Sequence, residues 1–267
     1  MIDAVFISHS HYDHLEKPTI AKLAKTHPNC HFFVPLGLKK WFNNNGVTKV
    51  TELDWWSQCN LNLSPADNDM PSSSTTKDAA SQSSVSSTSS SAPAKSAITA
   101  TISCLPNQHV SARTPFDKCQ TLWASWGIES GGKKVWFAGD TGYRTIPDAK
   151  LAELDYDHPD IQNLPHCPAF KEIGQHRGPF DLGLIPIGAY DPREIMSPMH
   201  ANPYDSVEIF KDTRCKRAMG IHWGTWVLTE EDVMEPPQLL RKVLKLRGLP
   251  EEGVFDVCDI GESREFA

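Results

Sequence analysis

The segment Ile7-Ser8-His9-Ser10-His11-Tyr12-Asp13-His14-Leu15, preceded by the apolar run Ala4-Val5-Phe6-Ile7, constrains this chain more than any other. The apolar run reads as a buried strand, so the polar segment starts where a strand ends. In extended backbone, alternate side chains share a face, which turns His9 and His11 to the same side. Asp13 and His14 then fall where the chain turns and can face a second ion. Imidazole nitrogen and carboxylate oxygen suit zinc and similar divalent cations. The plainer alternative is a polar loop with incidental histidines. Three imidazoles and a carboxylate between His9 and His14, directly after a strand, make that alternative a poor one.

Further ligand candidates lie at the ends of other apolar runs. His109 sits in Leu105-Pro-Asn-Gln-His-Val110, Asp140 in Val135-Trp-Phe-Ala-Gly-Asp-Thr-Gly142, and His222 in Ala218-Met-Gly-Ile-His-Trp223. The order HxHxDH, then His, Asp and His, resembles the metallo-β-lactamase superfamily. The flanking stretches SHSHYDHL, LPNQHVSARTPFD, LWASW, VWFAGDTGY, GPFDLGLIPIGAYDPR, AMGIHWGTW, EPP and GESR resemble one family within it more closely. That family is the N-acyl-phosphatidylethanolamine-hydrolysing phospholipase D enzymes, and the likeness covers most of residues 3–55 and 104–264.

The resemblance implies an α/β (α+β) fold, the αββα sandwich of the superfamily. It assigns His9, His11 and His109 to one metal, and Asp13, His14 and His222 to a second, with Asp140 bridging. It implies two zinc ions per chain and a water between them, made nucleophilic near neutral pH. On the same basis Asp13, Asp140 and His200 are the catalytic candidates. Asp13 also orients the water, and His200 assists the leaving group or holds a phosphate oxygen. Without the resemblance, Asp13 reads as a helix N-cap, Asp140 as a turn residue before Gly142, and His200 as a surface loop histidine. In the family the first motif is internal to the domain. The expectation is therefore an incomplete metallo-β-lactamase domain over 1–267, its N-terminal strands missing. The implied reaction is hydrolysis of N-acyl-phosphatidylethanolamine to N-acylethanolamine and phosphatidic acid.

Composition narrows the setting. A length of 267 residues allows one sizeable core. A formal charge of −7 gives no drive toward nucleic acid or an anionic surface. The seven cysteines are dispersed without CxxC pairs, which fits a reducing compartment rather than a disulfide framework. No apolar run is long enough for a membrane-spanning helix. The expected setting is intracellular: cytoplasmic, or on the surface of an intracellular membrane, mitochondrial membranes included. The expected partner is a phospholipid substrate met by peripheral contact, and a homodimer is compatible with this picture.

Along the chain, helices are expected at Pro18–His27, Gly37–Asn44, Phe170–Gly174, Pro203–Asp212 (capped by Asn202) and Pro236–Arg247. Leu239, Leu240, Val243 and Leu244 form the expected buried face of the last. Strands are expected at His31–Pro35, at Val50–Trp56 beside the site, at Ile98–Leu105 and at Asp181–Gly188. A hairpin of Leu122–Ile128 and Lys133–Ala138 turns at Gly131-Gly132. Residues 71–96 include 12 serines and one large apolar residue, Val85. Such a stretch cannot bury enough surface to offset its ordering entropy, so about 65–97 reads as a disordered insertion between strands. His27, His31, His158, His166 and His176 have no ligand context. Trp55, Trp56, Trp123, Trp126, Trp223 and Trp226 read chiefly as core, and the alternative that some of them line an acyl-chain cleft stays open.

Two other functions stay open at this stage. One is a different hydrolase on the same fold, such as a lactonase or another phosphodiesterase. The other is a truncated, inactive paralogue that acts as a binding protein.

Overall fold

The computed structural model describes residues 2–63, 97–259 and 261–266. The Ser-rich insertion expected at about 65–97 lies almost wholly outside them. Its flanks are informative, because Leu63 and Ile98 are register partners in adjacent antiparallel strands. The chain therefore leaves and re-enters the sheet at the same level.

The strands are β1 (Ala4–Phe6), β2 (His31–Pro35), β3 (Val50–Leu53), β4 (Gln58–Leu63), β5 (Ile98–Leu105), β6 (Ser125–Ser130), β7 (Lys133–Phe137), β8 (Leu182–Pro186), β9 (Ala218–Ile221) and β10 (Phe255–Asp256). They make two sheets. One is parallel, in the order β1-β2-β3, and the other is mixed, in the order β10-β9-β8-β7-β6-β5-β4. Helices α1 (Lys17–Thr26) and α2 (Lys39–Asn44) follow β1 and β2. The remaining helices are α3 (Ala149–Ala152), α4 (Pro159–Gln162), α5 (Ala169–His176), α6 (Arg193–Met196), α7 (Pro203–Asp212) and α8 (Glu235–Leu246).

Three apolar clusters account for the layering. Ile20 of α1 and Phe42 of α2 pack with Phe32, Val34 and Val50 on the outside of the small sheet. Phe33 joins Ile102, Cys104 and Trp126 between the two sheets. Phe170, Val207, Leu240, Val243 and Leu244, from α5, α7 and α8, cover Trp136 and Ile185 of the large sheet. The small sheet thus has both faces covered, which explains the continuous apolar text of Phe32-Phe33-Val34 in place of an alternating pattern. The result is the αββα sandwich. Each fully buried side chain of this size contributes roughly 1.5–3 kcal/mol by leaving water.

Local chemistry explains the boundaries. Asn202 caps α7 by accepting from the Asp205 N–H at 3.0 Å, with Pro203 in the first turn. Gly248, at φ 69°, follows the end of α8. Leu239 is only partly buried, while Pro236 and Pro237 join Leu240, Val243 and Leu244 in the core.

Several expectations needed correction. The strand expected to run to Trp56 stops at Leu53, because Trp56 takes φ 67° in the turn into β4. Strand β4 was not foreseen, because Gln58, Asn60 and Asn62 alternate with Cys59, Leu61 and Leu63 and keep one face solvated. The first hairpin strand begins at Ser125, not Leu122. Short helices α3, α4 and α6 carry too few residues to show a period. Among the described residues, no helix is long and apolar enough to cross a membrane.

Candidate metal centre

The candidate ligands leave strand ends. His9–His14 follow β1, His109 follows β5, Asp140 follows β7 and His222 follows β9. Two antiparallel steps separate β5 from β7, and β7, β8 and β9 are parallel, so these four strands run the same way. Their C-terminal ends therefore share one edge. The small sheet is locked onto that edge by hydrogen bonds from Trp126 Nε1 to the Ile7 carbonyl (2.9 Å) and from the Ala124 N–H to the Ser8 carbonyl (2.8 Å).

All seven expected ligands come together. His9, His11 and His109 form one group, and Asp13, His14, Asp140 and His222 a second, each with ligand atoms within 4.8 Å of one another. In the first group His9 Nε2 lies 2.8 Å from His11 Nδ1, and His109 Nε2 lies 3.1 and 3.2 Å from those two atoms. Three nitrogens around one tetrahedral ion at an ordinary zinc–nitrogen length would be roughly 3.3 Å apart. In the second group His14 Nε2 is 3.1 Å from Asp13 Oδ2 and 3.0 Å from Asp140 Oδ2, yet it has no hydrogen-bond geometry to a partner. His222 Nε2 is 3.2 Å from Asp140 Oδ1. Imidazole nitrogens and carboxylate oxygens converging on a common space are the arrangement a divalent cation needs. The residues present fit two such ions, with Asp140 between them.

Electrostatics separates the two groups. Burial holds His9 and His11 below their ordinary values and lowers His109 to about 3, so these three imidazoles are neutral and have free lone pairs. Burial also opposes charge on His14, but the carboxylates of Asp13 and Asp140 outweigh it and raise that histidine to about 10. His222 is raised against burial by Asp140 in the same way. Asp140, despite its own burial, is held well below the carboxylate range by His14 and His222. A cation entering the second group therefore displaces protons.

Supports outside the ligand set fix which nitrogen faces inward. Ser8 Oγ contacts His9 Nδ1 at 3.0 Å, and the Met199 carbonyl accepts from His109 Nδ1 at 3.0 Å, leaving both Nε2 atoms for the ion. Asn107 Nδ2 donates to the carbonyls of Ala138 and Asp140, both at 2.9 Å, so it clamps the Asp140 turn. Close backbone approach demands glycine at two places. A Cβ on Gly139, at φ +64°, would lie 2.5 Å from Ser8 Cβ, and one on Gly142 would lie 2.5 Å from the Ser197 carbonyl.

His200 stands beside the cluster. Its Nδ1 is buried without a hydrogen-bond partner, 4.0 Å from Asp140 Oδ2, and its ring lies 5.3 Å from His109 and 5.4 Å from His222. Burial lowers it to about 4, so at neutral pH it is a neutral hydrogen-bonding group. The turn that carries it is tied to the Asp140 turn by the Ala201 N–H to the Thr141 carbonyl at 2.7 Å. A buried contact of Arg144, Tyr156 and Asp205 joins the same two segments. The other five histidines stay outside the cluster. His31, for example, meets Thr51 Oγ1 at 2.8 Å, and His166 stacks on Tyr143.

Beside Asp13, His14 and His222 opens a cavity of about 210 Å³, walled by Trp223, Trp226 and Leu228. Trp226, Val227 and Leu228 are 64%, 74% and 69% exposed. Glu231 secures this wall by accepting from the backbone N–H groups of Ala189, Tyr190 and Asp191. Sequence reasoning missed these contributors. Ser8 and Asn107 carry no pattern that marks them, and Met199 acts through its backbone. At the wall, the core reading of Trp226 is corrected, since the residue is 64% exposed and lines the cavity with Trp223.

Comparison with known proteins agrees with this fold. Residues 1–223 match the family model described as "Beta-lactamase superfamily domain". The chain is 33% identical over 267 residues to N-acyl-phosphatidylethanolamine-hydrolyzing phospholipase D 1 of Caenorhabditis elegans, covering 98% of this chain and 60% of that protein. It is 27% identical over 252 residues to the mitochondrial N-acyl-phosphatidylethanolamine-hydrolyzing phospholipase D of Saccharomyces cerevisiae, covering 93% of this chain and 42% of that protein. The chain thus spans about half the length of these curated relatives. Among solved structures, the metallo hydrolase Igni18 of Ignicoccus hospitalis superposes with TM-score 0.54 at 16% identity, covering 97% of this chain and 77% of that one. CmlA, a diiron β-hydroxylase of Streptomyces venezuelae, gives 0.57 at 18% identity, over 96% and 44%. At these identities the two structures speak to the fold alone.

Proposed function

The chain belongs to the β-lactamase superfamily, and from that premise we propose that it is a zinc-dependent phosphodiesterase of phospholipase D type. The reaction is hydrolysis of N-acyl-phosphatidylethanolamine to N-acylethanolamine and phosphatidic acid. The observation that carries the metal chemistry is the convergence of two ligand groups on Asp140. Likeness to two phospholipases of that name supports the substrate.

A pair of divalent ions held by the two groups would supply Lewis acidity and acidify a water near neutral pH. His9, His11 and His109 suit one ion as neutral imidazoles. Asp13, His14 and His222 suit the other, and Asp140 suits both. Asp13, 3.1 Å from His14, is exposed at the open side, which suits it to accept a hydrogen bond from the attacking water. Neutral His200 donates a hydrogen bond to a phosphate oxygen. An anionic phosphate close to the ring also favours the imidazolium, which can then hand a proton to the departing ethanolamine oxygen. The cavity walled by Trp223, Trp226 and Leu228 takes apolar parts of the lipid, which the enzyme meets by peripheral contact with a membrane surface.

Elemental analysis of the purified chain, paired with turnover of N-acyl-phosphatidylethanolamine, phosphatidylcholine and a simple lactone, tests this reading. About two zinc ions per chain and release of phosphatidic acid from the first lipid are expected. Lactone turnover without phosphodiester cleavage would point to another hydrolase of the fold. Bound metal without turnover would point to a binding protein.

A further inference from the structure

A single half-buried arginine holds the His9–His14 segment to the segment that carries His109. Arg113 lies four residues beyond His109 in the chain. Its Nη1 donates to the Ser10 carbonyl at 2.8 Å and to the Leu15 carbonyl at 2.7 Å. Ser10 lies between His9 and His11, and Leu15 directly follows His14, so one nitrogen reaches both ends of the ligand loop. Among the described residues, no backbone N–H reaches either carbonyl. Inside the loop, the His14 and Leu15 N–H groups both turn back to the His11 carbonyl at 3.1 and 2.8 Å. The turn closes on itself there and depends on Arg113 for its outer carbonyls.

The guanidinium is itself held in place. It lies 4.2 Å from the ring centroid of Tyr12, at the tip of the loop, and 5.4 Å from that of Trp41 on α2. Its backbone is fixed by Asp117, whose Oδ1 accepts from the N–H groups of Arg113 at 3.0 Å and Thr114 at 2.7 Å. The Cys119 N–H closes the same turn onto the Ser111 carbonyl at 2.7 Å.

We propose that Arg113 is the positioning residue of the metal centre, setting the spacing between the His9–His14 loop and His109. Charge-assisted bonds to carbonyls are roughly twice as strong as neutral ones. Without them the two carbonyls are left unpaired and the loop relaxes toward water, which opens the 2.8–3.2 Å approach of His9, His11 and His109. The proposal rests on the metal-centre reading of the cluster, and it predicts an effect on both ions from a side chain that ligates neither.

The test compares zinc affinity, by competition with a chromophoric chelator, for the native chain, Arg113→Met and Arg113→Lys, with the absorption bands of the cobalt-loaded proteins alongside. Arg113→Met should weaken zinc binding about 10–100-fold, the range typical of outer supports of metal ligands. It should also alter the cobalt bands. Arg113→Lys, which keeps a charged donor but lacks the planar guanidinium that stacks on Tyr12, should fall between the two. Millimolar guanidinium should partly restore Arg113→Ala, and methylammonium should not. Ile209→Val, a destabilising change in the core remote from the cluster, should leave zinc affinity unchanged, which separates positioning from general loosening. Should Arg113→Met not fold, Arg113→Gln, whose shorter side chain withdraws the donor from both carbonyls, carries the same test. Native zinc affinity and unaltered cobalt bands in Arg113→Met would overturn the role of Arg113 alone. A native chain that takes up no metal would overturn the metal centre itself, and the proposal with it.

Discussion

The metal cluster and the cavity wall beside it are built on opposite terms. Asp140 and His9 are 2% and 1% exposed, and Ser8 and the Met199 carbonyl fix the His9 and His109 rings from behind. The wall at Trp226, Val227 and Leu228 carries apolar groups facing water, without strand or helix, and Glu231 is its main tether. Ligand geometry tolerates little error, so strand ends and short backbone bonds define it. Apolar recognition is non-directional and tolerates a looser scaffold. The difference teaches that chemistry and substrate selection in this molecule are separable, and mutations should fall into two classes accordingly.

The sharpest break in the comparison is Asp140→Asn. It removes the charge shared by both groups at nearly constant size. Turnover should fall by more than the roughly 10²–10⁴-fold typical of a single positioned acid or donor, while circular dichroism stays native. Residual activity within tenfold of native would deny Asp140 its central place.

His200→Ala should come next, lowering turnover on the phospholipid by about 10²–10⁴-fold with metal content intact. Unchanged kinetics would remove His200 from the site. Loss of metal would instead make it a ligand or a ligand support.

Metal affinity should depend on pH in a fixed direction. The folded pKa of His14 is raised from 6.5 to about 10. In the metal-free chain its protonation therefore stabilises the fold fully below pH 6.5, and that contribution is lost as pH rises through about 10. An incoming cation must displace this proton, so affinity should fall with falling pH. Below the His14 value the fall approaches about tenfold per displaced proton per pH unit. Calorimetry in buffers of different ionisation enthalpy would read the protons released. Zinc binding without proton release would contradict the ionisation assigned to the second group.

The smallest effect is expected at the wall. Trp226→Ala should raise KM for a long-chain substrate up to about tenfold, the equivalent of about 1.4 kcal/mol of lost apolar contact. Metal content and kcat should be close to native. Equal loss of kcat and metal would show that the two regions are not separable after all.

Much of this was legible in the sequence, for a reason that differs by element. The strand ends announced themselves because Ala4–Ile7, Val135–Ala138 and Ala218–Ile221 are apolar runs that stop at a ligand residue. Helices α7 and α8 were legible because Asn202, Pro203 and Gly248 punctuate them locally. Strand β4 was not, because Gln58, Asn60 and Asn62 belong to a face that stays wet, and only pairing with β5 makes it a strand.

The sequence by itself determined the ligand types, their order and their places at strand ends, since these follow from residue identity and the period of the backbone. Tertiary structure alone decided the rest. It set the two sheets so that β1 and β7 release their ligands into one space, and it gave Asp140 its neighbours from four separate segments. It also turned Met199, Asn107 and Arg113 into supports for ligands far from them in the chain. Distances between non-local side chains depend on how whole layers pack, and packing is a property of all the buried faces together rather than of any one segment.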